Sequence, residues 1–174
     1  EVKSTFIEDY MLQLDKTNDH LLTGYVQLNG TQKANQKIAL SIPELKVDKE
    51  FTADETGRVN LSIPVKKINY WSDVNPKLYT VEFSSGEDQL SDKIGFRQIA
   101  TNGSDILLNG QKVFMKGICI HEENVMRGGR AYSMEDAKML FGWAKELGCN
   151  YVRLAHYPHN ENMVRLADEM GILL

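Results

Sequence analysis

Two polar clusters follow two short apolar stretches of this sequence. The segment YVRLA, residues 151–155, alternates as a buried strand does and runs directly into His156-Tyr157-Pro158-His159. The earlier apolar run KVFMKGICI, residues 112–120, ends in His121-Glu122-Glu123-Asn124. Histidine and carboxylate side chains transfer protons, bind hydroxyl groups and ligate metals. Such side chains at two strand ends indicate a ligand-binding or catalytic site.

The histidines and glutamates of these clusters suit binding better than acid/base catalysis. His121 or His156 taken alone could be a core histidine bonded to backbone, but the pair at matching strand ends favours a functional role. Glu122 and Glu123 are adjacent, so on an extended backbone they point to opposite faces. A general acid/base pair needs two carboxylates that face one bond from roughly 5–9.5 Å apart, so these two form a poor pair. At most one lines the site, and we expect it to be Glu122.

Arg153 and His159 raise two further questions about the same region. Arg153 lies inside the predicted strand, and if buried it needs a carboxylate partner. The sequence offers no obvious one. His156-x-x-His159 straddles a proline and lacks the H-x-x-x-H spacing of helical zinc sites. We therefore expect no metal and no cofactor.

The region from residue 113 onward has the pattern of a parallel α/β fold. Ser133 and Asp136 resemble a capping box at the start of a helix that Gly148 ends, and Asn160 caps a second helix that Gly171 ends. The order strand–helix–strand–helix–strand brings the carboxyl ends of the strands to one rim. A (β/α)₈ barrel needs roughly 250 residues and about 60 are available, enough for two units and a third strand. An incomplete doubly wound sheet is the alternative.

The region before residue 99 reads as short strands separated by turns. Apolar residues recur mostly at every second position. The strand-like stretches are STFIEDYMLQLD, HLLTGYVQLNG, QKIALSIP, GRVNLSIPV and KLYTVEFSS. They predict an antiparallel immunoglobulin-like sandwich of about seven strands. Asn109-Gly110 then predicts a type I′ hairpin.

Composition excludes several classes of function. The chain is 42% hydrophobic and 25% charged, with a net charge of −4 and no lysine/arginine run, which argues against nucleic-acid or anionic-membrane binding. No apolar stretch approaches the roughly 18 residues of a membrane span. Residues 1–20 carry no signal-peptide pattern, and the sequence indicates no compartment. Cys119 and Cys149 are expected to be small buried hydrophobes.

Four motifs in order resemble glycoside hydrolase family 2. The stretch NYVRLAHYPHNENMVRLADEMGILL resembles its N-x-(apolar)-R … H-Y-P … D-x-x-G pattern, although Leu154 stands where a small residue is commoner. The positions that match are Asn150, Arg153, His156, Tyr157, Pro158, Asp168 and Gly171. Upstream, WSDVNPKLY, IGFRQI and LLNGQKVFMKGICIHEE are similar to the family's late sandwich segment, its G-F-R junction and its first barrel strand.

The resemblance implies a fold and a role for each site residue. Residues 1–98 would form the immunoglobulin-like sandwich, and residues 99–174 the truncated start of the catalytic barrel. His121, Glu122 and His156 would bind the sugar, and Arg153 would support the nucleophile carboxylate. Asp168 would be structural. The enzyme class would be a retaining, exo-acting hydrolase of terminal β-linked sugars, β-galactosidase-like first and β-glucuronidase-like second.

The family's two catalytic glutamates would lie beyond residue 174, so this chain would hold no catalytic residue and be inactive alone. Its partner would be a carbohydrate. The open strand edges of a truncated barrel predict pairing with another copy or only marginal order in residues 113–174. Two alternatives are a non-catalytic carbohydrate-binding or interaction module and a small metal-dependent hydrolase.

Overall fold

The chain folds as two compact units, described by a computed structural model that covers residues 3–174. The first unit contains the residues up to Asn69 together with Leu78–Gln98, and the second contains Tyr70–Lys77 and Ile99–Leu174. A short segment that lies between two strands of the first unit therefore groups with the second. We call Tyr70–Lys77 the Trp71 segment.

The first unit is the predicted β-sandwich. Its strands are β1 (Thr5–Leu14), β2 (Leu21–Gly30), β3 (Lys37–Ile42), β4 (Val47–Thr52), β5 (Arg58–Pro64), β6 (Tyr79–Ser85) and β7 (Asp88–Ile94). They form two antiparallel sheets with the orders β1-β2-β5 and β4-β3-β6-β7. In β6, Tyr79, Val81 and Phe83 are buried and the residues between them are exposed. This alternation is the period of two that the sequence shows.

Two strands of the sandwich lack a clear apolar signal. Strands β4 and β7, VDKEFT and DQLSDKI, lie at the two edges of the four-stranded sheet. Their charged side chains suit edge positions, where they discourage pairing with another chain. Lys37 of β3 forms an ion pair of 2.9 Å with Glu50 of β4.

The second unit combines a small antiparallel sheet with two strand–helix repeats. Its elements are β8 (Ile99–Asn102), β9 (Asp105–Leu108), β10 (Gln111–Lys112), β11 (Gly117–Ile120), α1 (Met134–Glu146), β12 (Tyr151–Leu154) and α2 (Glu161–Met170). Asn109 and Gly110 have φ values of 53° and 77° between the antiparallel strands β9 and β10. Positive φ at both positions confirms the type I′ turn. Strand β8 was not predicted.

The α/β pattern of the sequence is confirmed. Strands β11 and β12 are parallel, and Leu173 forms a parallel bridge to Tyr151 in the position of a third strand. Ser133 and Asp136 form the predicted capping box of α1, and Asn160 caps α2 through its side chain. The core between the helices and the two strands is formed by Ile120, Ala131, Ala137, Leu140, Phe141, Ala144, Cys149, Val152, Met163, Leu166, Ala167 and Ile172.

The first parallel strand is shorter and less covered than the sequence predicts. After Lys112, which ends β10, only Gly117–Ile120 of the apolar run is strand, and Phe114 is 76% exposed. Ile120 faces the helices, whereas Cys119 points to the opposite face and is exposed. The expectation that Cys119 is buried is therefore wrong, while Cys149 is buried as expected. Neither α-helix within residues 3–174 has the length and apolar character of a membrane-spanning segment.

Candidate functional site

His121 and His156 lie side by side at the carboxyl ends of the two parallel strands. His121 directly follows β11, and His156 follows β12 after one intervening residue. Their ring centroids are 5.5 Å apart and the ring planes are inclined by 73°. The two histidines are close because Ile120 of β11 pairs in parallel register with Leu154 of β12. Both histidines are exposed, so their ring nitrogens are accessible to a ligand.

Tyr157 lies beside the two histidines. Its ring centroid is 6.0 Å from that of His121 and 5.0 Å from that of His159. The tyrosine side chain is partly exposed, and its hydroxyl accepts a hydrogen bond of 3.0 Å from the backbone N–H of Glu122. Tyr157 thus connects the residues after β12 to the residues after β11.

The side chain of Glu122 is buried, and protein groups bind both of its carboxylate oxygens. One carboxylate oxygen accepts hydrogen bonds from Arg130 Nε at 2.7 Å and Nη2 at 2.6 Å. The other accepts from the backbone N–H of Asn160. The side chain is 0% exposed, and a buried carboxylate requires such partners. The sequence predicted that Glu122 binds a sugar, whereas in the structure its oxygens bind protein groups.

Glu122 and Glu123 lie on opposite sides of the chain, as their adjacency predicts. Glu123 is exposed, whereas Glu122 is buried. Glu122, Glu123, Arg130 and Tyr157 line an open recess of about 430 Å³. The two carboxylates do not face one another, so they do not form an acid/base pair across a shared bond.

Arg153 is exposed on the face of β12 that points away from the helices. It is paired in register with Cys119 of β11, and its Nη1 lies 3.9 Å from the cysteine Sγ. Within residues 3–174 no carboxylate forms an ion pair with Arg153. The sequence predicted a carboxylate partner only if Arg153 were buried. Since its guanidinium is exposed to solvent, no such partner is required.

His159 is part of the loop structure and does not join the two exposed histidines. Its Nε2 lies 3.1 Å from the carbonyl oxygen of Ala155, and its buried Nδ1 has no hydrogen-bond partner. In the part of the chain that the structure describes, no group of three or more histidine, cysteine, aspartate or glutamate side chains is placed to hold a metal ion.

Asp136 organises the loop between β11 and α1, which sequence reasoning treated only as a helix cap. Its carboxylate accepts hydrogen bonds from Asn124 Nδ2 at 2.5 Å, Arg127 Nη2 at 2.6 Å and the backbone N–H of Tyr132 at 3.0 Å. The N–H of Ser133 also donates to it. Burial opposes the charged form, but these hydrogen bonds outweigh it and hold the pKa of Asp136 well below its usual range.

The Trp71 segment packs within the α/β unit. Trp71 is 0% exposed, and its indole N–H donates a hydrogen bond of 2.7 Å to the carbonyl oxygen of Asp168 in the last turn of α2. Asn109 Nδ2 donates to the carbonyl of Trp71 at 2.9 Å, and Asn150 Nδ2 donates to Asp73 Oδ2 at 2.8 Å. In the sequence, Trp71 opens the WSDVNPKLY motif, and nothing in that motif indicates these partners.

Comparison with known families covers both units. A family model described as "Glycosyl hydrolases family 2" matches residues 5–97, and one described as "Glycosyl hydrolases family 2, TIM barrel domain" matches residues 99–174. The structure agrees with both family models, because an immunoglobulin-like sandwich is followed by the first parallel β/α units of a barrel domain. The chain belongs to glycosyl hydrolase family 2.

Relatives and solved structures agree with this assignment. The chain is 32% identical over 134 residues to a β-galactosidase of Arthrobacter sp. (strain B7), covering 77% of this chain and 13% of that protein. It is 28% identical over 184 residues to a β-glucuronidase of Paenibacillus borealis, covering 97% of this chain and 28% of that protein. The crystal structure of a β-galacturonidase from Eisenbergiella tayi bound to galacturonate matches with a TM-score of 0.79 and 26% identity, over 99% of this chain and 32% of that one.

Proposed function

We propose that this chain supplies the sandwich and the first two β/α units of a hydrolase that removes terminal β-linked sugars. The observation that carries the proposal is the exposed pair His121 and His156, 5.5 Å apart at the carboxyl ends of adjacent parallel strands. The carboxyl ends of barrel strands are where active sites of this architecture lie.

Each exposed residue of the site has a role in this proposal. The ring nitrogens of His121 and His156 bind hydroxyl groups of the terminal sugar, since neutral imidazole both donates and accepts hydrogen bonds. Arg153, exposed on β12 and without a carboxylate partner in residues 3–174, orients the nucleophile carboxylate of the complete barrel. A guanidinium favours the charged form of a nearby carboxylate, which a nucleophile must have.

The reaction in this proposal needs two further carboxyl groups. A retaining enzyme places one as nucleophile and the other as acid/base, about 5–5.5 Å apart. Near the histidines, Glu122 is bound to Arg130 and Asp136 to Arg127. The lowered pKa of Asp136 is the opposite of what a proton donor needs. The resemblance to glycosyl hydrolase family 2 implies that both catalytic glutamates follow later barrel strands than β11 and β12, and we expect the chain alone to be inactive.

The proposed substrates are β-galactosides first and β-glucuronides second. Both sugars occur in the names of relatives that match most of this chain. The chain spans 13% and 28% of the length of those two proteins. Its proposed share of substrate recognition is the pair of histidines, which would contact hydroxyl groups that both sugars carry.

The test compares hydrolysis of nitrophenyl β-galactoside and β-glucuronide by this chain and by a longer polypeptide that contains it and a complete barrel. Turnover by the longer polypeptide alone would support the proposal, and the preferred glycoside would identify the substrate. Turnover by the 174-residue chain would contradict the placement of the catalytic glutamates. Sugar binding without turnover by both would instead support a non-catalytic carbohydrate-binding module.

We also propose that the isolated chain self-associates through the open side of its parallel sheet. Strand β11 pairs with β12 and with no other strand of the described chain, and Cys119 and Arg153 lie on an uncovered face. Unpaired strand edges favour pairing with another chain. Sedimentation velocity across a concentration series tests this, and a monomer at every concentration would contradict it.

A further inference from the structure

We infer that Glu122 is a positioning residue: its buried carboxylate fixes the two loops that carry His121 and His156 and does not touch the sugar. The role of this pair as a sugar site rests on the proposed function. Whether Glu122 holds His121 and His156 close together is a separate structural question, and it can be measured in the 174-residue chain.

The carboxylate of Glu122 joins groups that are far apart in sequence. Arg130, which gives it two hydrogen bonds, belongs to the loop between β11 and α1. Asn160, whose backbone N–H donates to the other oxygen, is the N-cap of α2. Hydrogen bonds that involve a charged group are stronger than neutral ones. One side chain therefore holds the loop after β11 to the helix that follows β12.

The backbone of Glu122 adds a second link between the loops. Its N–H donates to the hydroxyl of Tyr157, and the N–H of Ala155 donates to the carbonyl of Ile120 at 3.0 Å. His121 is next to Glu122 in sequence, and His156 is next to Tyr157. Each histidine is thus one residue from an anchored group, which leaves its side-chain torsions as its main freedom.

The surroundings of Glu122 favour a fixed carboxylate over a ligand-binding one. The side chain is 0% exposed, whereas the Arg130 side chain beside it is 64% exposed. The N-terminus of α2, to which the carboxylate is bound, carries a partial positive charge that stabilises an anion. A sugar hydroxyl would have to displace Arg130 or Asn160 to reach these oxygens.

The test measures the nuclear Overhauser effect between the ring protons of His121 and His156 in the 174-residue chain. Glu122→Gln removes the charge while keeping the size, and Glu122→Asp keeps the charge but shortens the side chain. Both are expected to lose the contact between the rings. Glu123→Gln and Glu123→Asp make the same changes at the exposed neighbour and are expected to retain it.

Arg130→Met keeps the test decisive if the Glu122 variants do not fold. The Arg130 side chain is 64% exposed, and this substitution removes its two hydrogen bonds to the Glu122 carboxylate. A weakened contact between the rings is expected. Full retention of the contact in Glu122→Gln, or in Arg130→Met if no Glu122 variant folds, would overturn the inference.

Titration of a polypeptide that contains this chain and a complete barrel with methyl β-D-galactoside and methyl β-D-glucuronide separates the inference from the proposed function. If the sugars shift the histidine resonances but Glu122→Gln keeps the ring contact, the positioning role is wrong and the sugar site stands. If Glu122→Gln loses the contact but no sugar shifts the resonances, the positioning role stands and the sugar site is wrong. In an active polypeptide containing this chain, Glu122→Asp should lower kcat/KM by about 100-fold, the effect of a misplacement of about 1 Å.

Discussion

Asn124, in the loop after β11, donates a hydrogen bond of 2.5 Å to the carboxylate of Asp136 in the first turn of α1. Arg127 and the backbone N–H groups of Tyr132 and Ser133 share the same carboxylate. The loop therefore folds around one negative charge. Its shape depends on Asp136 remaining ionised.

Replacing Asp136 with asparagine should reduce the loss of stability in acid. The folded-state pKa of Asp136 lies below the unfolded value of about 3.9, so its contribution is fully present above that pH and is lost as pH falls through the folded pKa. Asp136→Asn should be less stable than wild type at pH 7, and the gap should narrow below about pH 4. Urea unfolding at pH 7 and pH 3 measures both effects.

Glu135→Gln is the control for this prediction. Glu135 is exposed, and hydrogen bonds from its own backbone N–H and the Ser133 hydroxyl lower its pKa. Because it has fewer partners than Asp136, its substitution should change the pH dependence less. An equal effect of the two substitutions would contradict the assignment of Asp136 as the centre of the loop.

Trp71→Phe should destabilise the α/β unit although it keeps an aromatic ring. The substitution removes the hydrogen bond from the indole N–H to the carbonyl of Asp168, and a typical hydrogen bond contributes about 0.5–1.5 kcal/mol to stability. Trp143, 38% exposed on α1, is the matched control, and Trp143→Phe should change stability by about 0.5 kcal/mol or less. Thermal unfolding followed by circular dichroism measures both, and equal midpoints would contradict the role of Trp71.

Alanine substitution at two glycines should have opposite effects. Gly171 has a φ of 67°, and an added Cβ would lie 2.5 Å from the carbonyl oxygen of Asp73. Gly171→Ala should cost at least about 1–2 kcal/mol from the left-handed backbone alone. Gly142, inside α1 with open space around its Cα, should gain about 0.5–1 kcal/mol as alanine. Urea unfolding of the two variants checks the signs.

His121→Ala and His156→Ala should each weaken sugar binding in a polypeptide with a complete barrel. Each removes one hydrogen-bonding imidazole, equivalent to about 2- to 10-fold in the dissociation constant. His20→Ala is the control, because His20 is an exposed sandwich residue. Calorimetric titration with the hydrolysed sugar measures the change. If the affinity for the sugar were unchanged in both His121→Ala and His156→Ala, the proposal that these histidines bind the sugar would be wrong.

The sequence predicted those features that depend on local rules. The period of two in the sandwich strands, the type I′ turn at Asn109-Gly110 and the capping residues Ser133 and Asn160 are all determined within a few neighbouring positions. The proximity of His121 and His156 was also predictable, because parallel strands bring their carboxyl ends to one edge.

The features that the sequence did not reveal depend on partners distant in the chain. Glu122 binds the backbone N–H of Asn160, which lies 38 positions away, and the indole N–H of Trp71 binds the carbonyl of Asp168, which lies 97 positions away. Cys119 occurs in an apolar run, yet only one face of β11 is covered by the helices. Such contacts are decided by tertiary packing, which overrides local pattern.

The Trp71 segment lies within the part of the sequence that the first family model matches, but it groups with the second structural unit. The two family models meet between residues 97 and 99, and a recombination joint placed there would transfer the α/β unit without Trp71 and Asp73. A chimera with such a joint would receive a second helix whose last turn lacks its indole donor. We therefore expect a transferred α/β unit to be stable only when its new sandwich contains a segment that supplies the contacts of Trp71 and Asp73.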